Sequence, residues 1–133
     1  MKQMKIKVRA TVDAAGAVDF DVDGVKAKNS RLKLEKDSGA HSMDFDLHDQ
    51  TGMALQFNTA DPVWAADNAP CPPAPGVNSG QLGIADCKAK TLTLINENSG
   101  DPREIRYQLN FIAADGRTVE CDPIIDNGGG ETA

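Results

Sequence analysis

The chain has 133 residues, a formal net charge of −6 and a pI near 4.8, with 40% hydrophobic and only 5% aromatic residues. That length makes one domain with a sizeable core, here mostly aliphatic. The negative charge excludes general nucleic-acid binding, which draws most of its affinity from Lys and Arg on phosphate. No segment reaches the roughly 20 apolar residues that a membrane span needs.

Apolar residues at every second position recur through most of the chain, the period of an extended strand with one face buried. Residues 5–13 are the first expected strand, with Ile6, Val8, Ala10 and Val12 inward and Lys5, Lys7, Arg9 and Thr11 outward. This N-terminal run alternates charge with hydrophobe where a signal peptide needs a continuous apolar stretch, so a cytoplasmic location is expected. Val18, Phe20 and Val22 continue the apolar set, and Asp23-Gly24 is a two-residue hairpin signal with a return over residues 25–28. Leu32 and Leu34 mark a short strand. Met43, Phe45 and Leu47 alternate with Asp44, Asp46 and His48, and the turn at residues 49–52 leads to Met53, Leu55 and Phe57, a second expected hairpin.

Residues 59–88 break the pattern. They hold Asp61-Pro62-Val63-Trp64 and the run Cys71-Pro72-Pro73-Ala74-Pro75-Gly76. Proline lacks a ladder donor and fixes φ, so this segment is expected as one long loop. It carries the single Trp and two of the three Cys. Asp61, Trp64, Cys71, Pro72 and Pro73 are therefore the expected partner-binding residues, the alternative for Trp64 being a plug over one open end of the fold. Beyond the loop, Leu92 and Leu94 begin a strand. Ile105, Tyr107, Leu109 and Phe111 form the next, with Asp115-Gly116 turning into Val119 and Cys121. Residues 126–133, with three consecutive glycines, are expected as a flexible tail. The predicted whole is an all-β, immunoglobulin-like antiparallel sandwich of seven to nine strands over residues 1–125.

Asp19, Asp21, Asp23 and Gly24 match the first half of a calcium loop, but position twelve of that loop is Ser30, which offers no bidentate carboxylate. Asp44, Asp46 and His48 share a strand face downstream of His41, a composition able to hold a divalent cation but without tight ligand spacing. No metal or cofactor is therefore expected. Three cysteines are an odd number, which suits a reducing compartment, with a Cys71–Cys87 bond as the alternative. Cys71 has no helix N-terminus or adjacent cation among its proline neighbours, and Cys121 falls on the inward register of the last strand as a small core hydrophobe, so no nucleophile is expected. Residues 1–36 carry a net +4 and the remainder a net −10. A stripe of Lys5, Lys7, Arg9, Lys26, Lys28 and Lys33 would suit an anionic partner or the acidic part of another copy.

Asp-Pro recurs at Asp61-Pro62, Asp101-Pro102 and Asp122-Pro123, the last directly after Cys121, and the chain contains no Glu-Pro. With the stretch 92–125, these dipeptides resemble the small bacterial DP-EP family. The resemblance implies a bacterial β-sandwich and supplies no catalytic residues. Residues and resemblance together predict a non-enzymatic module that binds another protein or itself, the alternative being a metal-ion or small-ligand binder that uses the acidic strand faces.

Overall fold

Alternation in the sequence becomes two β-sheets in the computed structural model, which describes residues 1–70 and 72–128. The first sheet contains β1 (Lys2–Val12), β2 (Val18–Val22), β3 (Val25–Lys26), β5 (His41–Asp49), β9 (Leu82–Cys87) and β10 (Thr91–Asn96). Their order is β3-β2-β1-β5-β10-β9. The second contains β4 (Arg31–Leu34), β6 (Gln56–Phe57), β7 (Val63–Asp67), β8 (Val77–Asn78), β11 (Arg103–Ile112), β12 (Thr118–Cys121) and β13 (Ile124–Asn127). There the order is β4-β13-β11-β7-β8, with β6 and β12 also paired to β11. No helix among the described residues is long and apolar enough to cross a membrane.

The all-β sandwich stands, with two corrections. Thirteen strands are present among the described residues, more than the expected seven to nine, because three are two-residue fragments and Asp122-Pro123 divides the neighbour on one side of β11 into β12 and β13. Both halves pair with β11, and across the break Tyr107 N–H still donates to the Pro123 carbonyl at 3.3 Å. The sheets are also mixed and not purely antiparallel: β1 runs parallel to β5, β13 to β4 and β7 to β8.

The core lies between the two inner faces. Ile6, Val8, Phe45, Leu92 and Leu94 come from the first sheet, and Phe57, Ile105, Tyr107, Leu109 and Phe111 from the second. Phe111 stacks on Phe20 at 5.1 Å and meets Phe57 in a tilted contact at 4.8 Å, joining three distant segments. Val12, expected inward, is 43% exposed as the last residue of β1.

The expected 43–57 hairpin does not form. β5 pairs with β1 and β10, while β6 crosses to β11 in the other sheet. The Asp49 carboxylate builds the crossover by accepting from Thr51 N–H, the Thr51 hydroxyl and Leu55 N–H at 2.9, 2.5 and 2.8 Å. Asp23-Gly24, by contrast, makes its expected turn, with φ of 50° and 83°.

Residues 59–88 are not one loop. They contain β7, β8 and β9, and the proline run is confined to the 68–76 connector. Alanine at 65 and 66 hides the alternation of β7 from composition, although Val63 and Ala65 are buried. The expected tail at 126–133 is likewise displaced. Asp126 and Asn127 are buried and laddered between β4 and β11, and residues 129–133 lie outside the described residues. Asn127 and Asn96 exchange two amide hydrogen bonds of 2.8 Å between the sheets.

A cleft on the outer face of the second sheet

The outer face of β11 departs from the usual charged, solvated strand surface. Gln108 and Asn110 point outward, yet they are only 4% and 7% exposed. Gln108 lies opposite Trp64 of β7, and Asn110 opposite Glu120 of β12. Together with Asn58 and Asp61 they line a cleft of about 160 Å³.

Local structure fixes the wall. Asn58 follows β6 and turns the chain, accepting from Asp61 N–H at 3.0 Å through its carbonyl and from Ala60 N–H at 3.2 Å through Oδ1. Pro62 is buried at the entry to β7, where its missing N–H costs nothing and its carbonyl accepts from Asn110 N–H at 2.9 Å. Alternation in β7 then turns Trp64 outward. Its Nε1–H donates to Asp61 Oδ2 at 2.8 Å, which sets the indole plane.

A relay beneath the indole fixes the amides. Asn110 Nδ2 donates to the Asp61 carbonyl at 3.0 Å, so Asn110 Oδ1 must accept, and Gln108 Nε2 meets it at 2.6 Å. Gln108 Oε1 is left over as an acceptor, and no donor meets it among the described residues.

Two of the expected binding residues, Asp61 and Trp64, are thus brought together. Trp64 lies half-buried on a strand face and does not plug an open end of the sandwich. Pro72 is exposed and Pro73 buried on the 68–76 connector; neither lines the cleft. Cys71 lies outside the described residues. Sequence reading missed Asn58, Gln108, Asn110 and Glu120. The available signal was two uncharged amides at successive outward positions in an otherwise charged strand.

Other candidate chemistry is already answered within the fold. Asp21 accepts from Arg9 at 2.5 Å, Asp19 from Lys26 at 2.9 Å, and Asp23 from Lys7 N–H at 2.8 Å. Chiefly through the Lys26 hydrogen bond, the Asp19 carboxyl titrates below its ordinary value. Lys5 and Lys7 stand in register with Asp44 and Asp46 across the β1–β5 ladder, so much of the basic stripe meets carboxylates of its own sheet. His41 is buried, with Nδ1 2.8 Å from the Gly39 carbonyl, whereas exposed His48 lies on the opposite face of β5. Among the described residues, no three His, Cys, Asp or Glu side chains converge to hold a metal. A larger depression of about 580 Å³ is lined by Arg31, Arg103 and Arg106. Their guanidinium groups face Glu104, Asp126 and Asp67 at 2.7–3.6 Å.

Cys87 and Cys121 are free thiols. Burial, with a nearby carboxylate, raises both thiols above their ordinary value, Cys121 the more strongly. Neither a protein-family model nor a curated protein matches this chain.

Proposed function

We propose that the chain is a non-enzymatic binding module of immunoglobulin-like build, which engages another protein through the outer face of its second sheet. One observation carries the reading: the single indole is held by Asp61 over a buried amide relay at an open cleft. A solvated strand face has no use for two buried amides, and a rigid aromatic above oriented polar groups is the composition of a recognition surface. High thiol pKa values leave Cys87 and Cys121 poor nucleophiles, which supports a binding role. A reducing, cytoplasmic setting fits the same two free thiols, and the Asp-Pro turns at Asp61 and Asp122 fit kinship with the DP-EP family.

Charge arrangement favours a different protein over a second copy, because the basic strands already face acidic ones within the first sheet. Capture from native lysate tests the proposal. The wild-type chain should retain a discrete partner that Trp64→Ala loses and the opposite-face control Lys5→Ala keeps. Equal capture by Trp64→Ala would overturn it.

A further inference from the structure

The cleft has a chemical bias that narrows what can enter it. Asp61 and Glu120 contribute carboxylates, and neither meets a Lys or Arg among the described residues. The amide relay leaves a third acceptor, Gln108 Oε1, on a side chain that lines the same cleft. Donation by the indole nitrogen to Asp61 removes the one polar hydrogen of Trp64, leaving the ring as an apolar wall with a negative face.

Acceptors of net negative charge beside an aromatic face call for a planar, donor-rich cation. An arginine guanidinium offers five N–H donors and no acceptor, and it stacks on aromatic rings. A neutral sugar would leave both carboxylates unneutralised. A phosphate or carboxylate would be repelled. The volume of about 160 Å³ suits one side chain and not a folded segment.

Resting on the binding-module reading above, we infer that this cleft receives an arginine side chain of the partner protein. Its guanidinium stacks on Trp64 and donates to Gln108 Oε1, Glu120 and the free oxygen of Asp61. Gln108 is the positioning element. Its acceptor is aimed by a relay anchored on a backbone carbonyl, so the site is formed before the ligand arrives.

Titration with Nα-acetyl-arginine amide, read by the fluorescence of the chain's single Trp, tests the inference. The cationic probe should shift Trp64 emission saturably. Its uncharged analogue Nα-acetyl-citrulline amide and glucose should not. Glu120→Gln, a change at an exposed position whose folding a thermal melt checks, should weaken arginine binding about fivefold, the effect expected of one lost charged contact at a partly exposed site. Equal binding of citrulline amide, or saturable binding of glucose, would overturn the arginine assignment while leaving the cleft a binding site. No response to any probe, with lysate capture still dependent on Trp64, would also overturn it and would leave the module reading standing. Loss of that dependence would remove both.

Discussion

The paired amides of Asn96 and Asn127 should be worth more together than either bond alone. They are 0% and 4% exposed and join β10 to β13 across the two sheets. Asn127→Ala removes both hydrogen bonds. Asn96 Oδ1 keeps Asn98 N–H at 3.1 Å, but Asn96 Nδ2 retains only the weak Met43 sulfur contact at 3.7 Å. An orphaned buried donor costs about 1–3 kcal/mol, and a lost neutral bond about 1 kcal/mol more. A loss of about 3 kcal/mol is therefore expected, equivalent to a Tm lower by roughly 10 °C for a domain of this size. Asn96→Ala should cost a similar amount, but the double variant less than the sum, because neither amide is then stranded. Urea unfolding of all four proteins measures this coupling, expected at about 1–2 kcal/mol. Additive losses would refute the claim that the two amides act as one unit.

Two further expectations concern carboxylates. Asp49→Ala should destabilise by about 2 kcal/mol, because it strands the two backbone N–H groups that shape the β5–β6 crossover. Burial raises the Asp49 carboxyl, but hydrogen bonds from Thr51 and Leu55 outweigh it and hold the folded-state value low. This contribution is therefore complete above the unfolded value of about 4 and fades as pH falls through the lower folded one, which thermal melts at stepped acid pH would reveal. Asp122 behaves oppositely: burial first, then Glu120, raises its carboxyl, and Oδ1 is buried without a partner among the described residues. Its favourable contribution is present below about pH 4 and is lost as pH rises through the raised value. Asp122→Asn should thus raise Tm at pH 7, with the gain vanishing toward pH 4; an unchanged Tm at pH 7 would refute this.

Facing was readable from the residues, and partnership was not. Met43-x-Phe45-x-Leu47 and Ile105-x-Tyr107-x-Leu109-x-Phe111 declare which side chains are buried, because period two is local. Nothing local says that β6 leaves β5 for β11, a choice made by Asp49 hydrogen bonds to Thr51 and Leu55. β7 was hidden because Ala65 adds little hydrophobic signal and the nearby prolines dominate. In the cleft, Trp64 and Asp61 stood out by rarity and by the Asp-Pro turn. Gln108 and Asn110 did not, since a buried amide and a wet one read alike until the strand above is in place. The inward Asn127 was mistaken for tail for the same reason.

β11 is flanked by β6 and β7 on one side and by β12 and β13 on the other, and among the described residues β4 joins the ladder through β13. In chain order that central strand follows the β6 and β7 strands it joins by about 35 residues or more. Until residues 103–112 emerge, Phe57 and Val63 lack their ladder partners, and the nascent protein must carry a half-built, greasy layer. Closure is therefore a late, long-range event, so this topology favours slow maturation and dependence on chaperones during synthesis.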